Sequence, residues 1–239
     1  MKLSHRPFAE HVRVNPLTRC DTLAYYASEV IGMALSLVMF SDFICPFCYI
    51  GFETVRNLKP EFGFEIEWKG FQIHPEWPAG GLAAAEYRRG MDPETRRMMW
   101  ARITSLGENV GLEMKSPERL ANSRLALAAA EFAKECGKAE VFEERVFRAY
   151  FTQNLDISSQ GVLADLAIEA GLDRRDFELA LQSNRYERRL DDNAVAARER
   201  GVDGVPTFFI GDYPLVGAQS EQVMRQIFQR YAQKIAAAQ

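Results

Sequence analysis

Two cysteines three positions apart, Cys45 and Cys48, stand where a strand pattern gives way to a helix pattern. Before them Leu35, Leu37, Val38, Met39 and Phe40 form a dense apolar run closed by Ser41 and Asp42, the length and flanks of a buried strand. Pro46 falls where the first turn of a helix tolerates it, because its missing N–H would have no partner there. Tyr49, Ile50, Phe52, Val55 and Leu58 then share one helical face, and Pro60 with Gly63 predicts the helix end. Phe64, Ile66 and Trp68 alternate with Glu65, Glu67 and Lys69, a half-buried strand. The opening therefore reads strand, helix, strand, with the cysteine pair at the first junction. A pair at i and i+3 on a helix start can close a small disulfide ring with little backbone movement. Cys45 lies where several helix N–H groups lack partners, and these together with the helix dipole favour its thiolate. Cys48, one turn inside, is placed to attack a mixed disulfide and release the product.

Two other readings of the pair compete. Zinc needs two further ligands, usually a second close pair. The chain offers only Cys20, Cys136, His5, His11 and His74, and none of these form one; no metal is expected. Two inert packed thiols are the other reading, but a strand-to-helix junction is an exposed edge.

Helical pattern fills the chain from about 82 to 200. Asp92-Pro93-Glu94 starts one helix, Asn122 caps a second with Leu125, Ala129 and Phe132 inward, and Val141 to Tyr150 carries a third. Gly161 to Ala170, a helix capped by Asp173, and the charged run ending at Arg200 follow. Strand pattern returns at Thr207–Ile210, turns at Gly211-Asp212, runs back over Tyr213–Val216 and gives way to a helix capped by Ser220. The organisation is an α/β core formed by 33–80 and 201–239, split by a large all-helical insertion over 81–200. Residues 1–32 read as an irregular extension, or translation begins at Met33.

Composition narrows the function classes. Among 239 residues, 33 acidic side chains against 29 basic ones leave a net charge of −4, with no basic footprint for nucleic acid or an anionic membrane. Four cysteines are too few for a stapled secreted fold. The longest apolar stretch, Val30 to Phe40, is too short to span a bilayer, and it follows some thirty mixed polar residues that lack the layout of a signal peptide. A cytoplasmic location is expected, and there a close cysteine pair points to redox chemistry or metal.

A second element is Gly204-Val205-Pro206-Thr207. Proline can open a strand, because it forgoes one ladder hydrogen bond, and the local sequence makes a trans Val205–Pro206 bond the default. Taken together, the strand, Cys-Pro-Phe-Cys on a helix start, the second strand, the helical insertion and Gly-Val-Pro-Thr-Phe before a hairpin and helix resemble the DsbA family of thioredoxin-fold oxidoreductases. Ser41 to Gly51, Phe71-Gln72-Ile73-His74-Pro75 and Gly217-Ala218-Gln219 resemble its FrnE-like branch. The resemblance spans about Leu35 to Tyr231. It implies a thioredoxin-like fold, Cys45 as nucleophile, Cys48 as resolving thiol, and a cis Pro206 that turns Val205 toward the pair. Pro46, Phe47 and Asp42 would support that site.

Phe47 stands where the periplasmic oxidants of that family carry histidine, so it brings no positive charge to Cys45. A lowered but moderate Cys45 pKa and a pair more reducing than those oxidants are expected. Related 2-hydroxychromene-2-carboxylate isomerases and kappa-class glutathione transferases carry serine at the first position, where Cys45 stands here. Thiol–disulfide exchange is therefore the leading activity, on protein or small-molecule thiols and disulfides. A glutathione-dependent isomerase or transferase is the alternative, and a redox-regulated chaperone or binding module a third. No cofactor is expected to be bound, glutathione being at most a redox partner; a homodimer is left open. Asp42 either relays a proton to Cys48 or bonds loop N–H groups. Asn122 recurs near the family's active site, though capping explains it equally. Cys136 sits on a helical core stripe, and Cys20 lies outside the pattern. Trp68, Trp77 and Trp100 read as core, His74 as a structural or exposed loop residue, and Arg185 to Arg200 as a solvated helix face.

Overall fold

The computed structural model describes residues 36–236. The 1–32 extension and Cys20 lie outside them. The apolar run becomes β1 (Ser36–Ser41), the central strand of the main sheet. Its alternate side chains face two ways: Leu37 and Met39 enter the main core, while Val38 and Phe40 pack with Phe209, Ala197 and Val202. Both faces are covered, which is why the strand reads as a continuous hydrophobic run.

The segment after the cysteines is α1 (Pro46–Phe62). Pro60 does not stop it. A proline so near the end removes only one intrahelical bond, and the helix runs two residues further, to Phe62, before Gly63 caps it with a left-handed φ of 65° that suits glycine. Then β2 (Glu65–Gly70) pairs parallel with β1, Ser36 opposite Glu65 and Ser41 opposite Gly70. The chain returns to the sheet much later, through β5 (Thr207–Ile210) and β6 (Tyr213–Val216). β5 runs antiparallel to β1, with Phe40 opposite Thr207, and β6 antiparallel to β5, giving the order β2-β1-β5-β6. The last helix, α9 (Glu221–Ala236), packs against α1 by way of Phe228, whose ring lies 5.3 Å from that of Phe62.

Between β2 and β5 lies the helical block: α2 (Ala84–Tyr87), α3 (Pro93–Glu108), α4 (Arg124–Glu135), α5 (Ala139–Phe151), α6 (Gln160–Glu169), α7 (Arg174–Leu181) and α8 (Asn184–Glu199). It carries one feature the periodicity did not announce. Leu82–Ala83 (β3) and Arg119–Leu120 (β4) form a two-residue antiparallel ladder beside the short α2. Elements this brief contain too few residues to show a period.

One continuous core joins the block to the sheet. Phe147 on α5 meets Phe43 at 4.9 Å, stacks on Tyr49 at 5.1 Å and touches Phe52 at 5.5 Å, so this ring ties the block to the start and the first turns of α1. Fully burying such a ring contributes about 1.5–3 kcal/mol. The block is therefore a wall of the site-bearing core.

Candidate active site

The end of β1 and the start of α1 place both thiols. Cys45 is the N-cap of α1, with extended φ and ψ, and Pro46 follows at the first helical position. The carbonyl of Cys45 already accepts from the Cys48 N–H at 3.0 Å and from the Tyr49 N–H at 3.3 Å. Cys45 is 7% exposed and Cys48 fully buried, so a substrate meets Cys45 first. The junction is thus less open than a strand-to-helix edge suggests, with the Val205 carbonyl facing the Cys45 sulfur. Phe47 is exposed at the rim.

The two sulfurs are electrostatically unlike. The Cys45 thiol is held below its ordinary value, chiefly by a hydrogen bond from the Cys48 side chain. The Cys48 and Phe47 N–H groups add to this, while burial and the Asp42 charge oppose it. Burial pushes the Cys48 thiol far up, and the hydrogen bond to Cys45 and the Cys45 charge push it further. The Asp42 main-chain N–H donates to the Cys48 sulfur at 3.5 Å.

Opposite the pair, the Val205–Pro206 peptide bond is cis. The trans default of the local sequence is therefore overturned, and the expectation from the family resemblance holds. The Val205 carbonyl lies 3.7 Å from Cys45 Sγ. Beneath it, Gly51 makes room: a Cβ there would stand 2.9 Å from the Phe208 ring and 3.4 Å from Pro206. The motif around Gly51 suggested no role for it. A glycine in the middle of a good helix face was the available signal.

Asp42 is fully buried, and its two carboxylate oxygens divide between two loops. Oδ1 accepts from the Ile44 N–H at 3.3 Å and Oδ2 from the Ile73 N–H at 2.8 Å. Burial raises its pKa to about 6, opposed by these N–H groups, by the neighbouring Ser123 side chain and by His74. The carboxyl thus anchors the 71–77 segment beside the cysteines. Asn122 holds the same segment from the other side. Its Oδ1 accepts from Gln72 Nε2 at 2.9 Å and from the Arg124 N–H at 3.0 Å, while its Nδ2 donates to the Trp77 carbonyl at 2.7 Å. Ser123, not Asn122, is the N-cap of α4, so Asn122 is more clasp than cap. His74 stacks on Trp77 at 4.0 Å and pairs with Glu76.

The remaining candidates stand apart from the pair. Cys136 is buried at the C-cap of α4, as its stripe predicts, but is not a free thiol. Cys45 and Cys48 are the free thiols among the described residues. Trp68 is buried against Phe43 at 4.8 Å, whereas Trp77 and Trp100 are only partly buried. Among the described residues no three His, Cys, Asp or Glu side chains converge as a metal site, and no helix is long and apolar enough to cross a membrane.

A dithiol at a helix N-terminus, facing a cis-proline loop across a central strand with a helical block between its halves, defines a thioredoxin-like α/β fold. The family model of the DsbA-like thioredoxin domain matches residues 36–229, and the chain belongs to that family. Similar proteins include the uncharacterized protein YwbO of Bacillus subtilis, 31% identical over 80% of this chain and 94% of that one. A 2-hydroxychromene-2-carboxylate isomerase of Pseudomonas putida is 25% identical over 72% of this chain and 83% of that one. Among solved structures, a probable DsbA oxidoreductase from Streptomyces coelicolor has a TM-score of 0.75 at 22% identity, covering 82% of this chain and 89% of that one. The cytosolic disulfide reductase DsbM of Pseudomonas aeruginosa, solved with glutathione, has a TM-score of 0.60 at 18% identity, covering 85% and 99%.

Proposed function

We propose that this protein is a thiol–disulfide oxidoreductase that works through Cys45 and Cys48. The observation that carries the reading is the divided pair: a favoured thiolate with a small opening to solvent, backed by a fully buried, strongly protonated thiol. In the reducing direction the Cys45 thiolate attacks a substrate disulfide. The substrate S–S bond breaks, and its leaving sulfur departs as a thiolate that takes up a proton. Cys48 then gives up its proton and attacks Cys45, releasing the second substrate thiol and forming the Cys45–Cys48 disulfide. Two electrons pass to the substrate, and the reverse sequence oxidises a dithiol.

In this reading the other residues support the pair. Pro46 starts the helix without an unpaired donor, and Phe47 offers an apolar rim with no charge. The Val205 main chain and Pro206 flank the sulfur that is attacked. Asp42 acts through its N–H on Cys48 and through its carboxyl on the loops. The thioredoxin-like core over 33–80 and 201–239 carries the chemistry, and the 81–200 helices shape what reaches it. Substrates are protein or small-molecule disulfides, with glutathione as redox partner. The cytosolic reductase solved with glutathione supports that choice and a cytoplasmic setting.

A glutathione-dependent isomerase is the second reading, favoured by the similarity to the Pseudomonas putida isomerase. The deciding experiment equilibrates the pair with glutathione buffers and follows insulin reduction. Because Phe47 brings no cation, the expected potential lies below the roughly −120 mV of the strongly oxidising members, and activity disappears in Cys45→Ala. Isomerase turnover that survives Cys45→Ala, without insulin reduction by the native protein, overturns the assignment.

A further inference from the structure

We infer that a groove between α2, α3 and the 116–118 segment binds a small organic anion, an activity separate from the cysteine pair. The groove is an open cavity of about 770 Å³, within the range of small-molecule sites. Arg88 and Arg96 line it, with Arg97, Trp100, Ser116 and Glu118. Arg88 is half-buried. Its Nη1 donates to Ser116 Oγ at 2.8 Å and to the Pro117 carbonyl at 3.4 Å, and its guanidinium lies 5.9 Å from the centre of the Trp100 ring.

Two of these three cations lack a paired carboxylate. Among the described residues neither Arg88 nor Arg96 has a carboxylate within ion-pair distance, whereas Arg97 pairs with Glu94. Burial lowers the Arg88 pKa, Tyr150 opposes this, and the like charge of Arg96 adds a smaller lowering. Like charges on one groove wall repel each other, and more so where one of them is half out of water. Arg88 and Arg96 thus bring two charges with no carboxylate partner to this wall, and the one lining carboxylate, Glu118, pairs with neither. A carboxylate or phosphate between Arg88 and Arg96 fits the forked geometry of guanidinium groups. A flat apolar body would rest on the Trp100 side, whose wall continues through proline and alanine side chains.

Calorimetry with four probes tests this on the whole protein: 2-naphthoate, phenyl phosphate, inorganic phosphate and the neutral naphthalene-2-carboxamide. The expected result is saturable submillimolar binding of an organic anion. The amide should bind at least tenfold more weakly, and so should the organic anion to Arg88→Gln and to Arg96→Gln. Arg96 makes no ion pair, so Arg96→Gln should alkylate at Cys45 at the native rate, which checks that it is folded. Lack of saturation by both organic anions up to 10 mM overturns the inference. So does an amide that binds as tightly as naphthoate, or native affinity in both arginine variants. So does inorganic phosphate that binds as tightly as the organic anions, because the groove then reads charge alone.

Discussion

Cys45 Sγ and the Val205 carbonyl oxygen stand 3.7 Å apart although 160 positions separate them in the chain. The oxygen carries partial negative charge, so it does not stabilise a thiolate. The lowering of Cys45 comes instead from the helix start and above all from the Cys48 thiol. Removing that donor in Cys48→Ala should move the Cys45 titration upward, toward the free-thiol value of about 8.5. Iodoacetamide alkylation rate against pH reads this directly. An unchanged midpoint would show that the helix N–H groups suffice. In the native protein Cys48 should resist alkylation until the fold opens.

Gly51→Ala should act on the cis-proline loop from below. The added methyl meets the Phe208 ring at 2.9 Å and Pro206 at 3.4 Å, so the loop must move or the helix must shift. Overpacking of this kind costs about 1–3 kcal/mol, which chemical denaturation measures. A loss of that size with a changed Cys45 alkylation rate is expected. Native stability would mean that the loop yields freely.

Asn122→Ala removes an acceptor shared by Gln72 and the Arg124 N–H, and a donor to the Trp77 carbonyl. Losing hydrogen bonds to these half-buried partners costs about 0.5–1.5 kcal/mol each. The loosening should be local. Amide exchange at Ile73, whose N–H binds Asp42, should speed up well before exchange in β1.

Glu143 sets a pH slope. It is buried on α5, makes no hydrogen bond or ion pair among the described residues, and burial raises its pKa to about 8. In the unfolded chain it titrates near 4.5. Between those values the folded state binds more protons than the unfolded one, so stability falls as pH rises from about 4.5 to about 8, then levels off. The total is of order a few kcal/mol. Asp42, raised to about 6, adds a slope of the same sign below pH 6. In Glu143→Gln the decline should end near pH 6; denaturation at pH 5, 6, 7 and 8 separates the two contributions.

The main elements of the site were legible in the sequence for physical reasons. An apolar run too short to be a helix, a proline at N1 and an i, i+3 cysteine pair each restrict local geometry, and each lies within a few residues of the others. What escaped was non-local or main-chain. The cis state of Pro206 was visible only through the family resemblance, since the local preference is trans. The bond from Ile73 N–H to Asp42 joins two loops, and an N–H carries no residue identity. Pro60 read as a stop because proline statistics describe helix interiors, and it sits in a last turn. Gly51 was in plain view, but what it accommodates is Phe208, a ring brought in by another strand.

The central strand β1 has one neighbour, β2, that follows soon after it and another, β5, that does not exist until residue 207. During synthesis the Cys45–Cys48 pair therefore leaves the ribosome with half of its housing missing. At about 5–20 residues per second, the roughly 160 residues still to come take some 8–30 s. Until then both the strand that pairs with β1 on that side and the Val205 carbonyl beside Cys45 are missing. The main chain that faces Cys45 is contributed from the far side of the helical block, so the site closes only when the second half of the core is made.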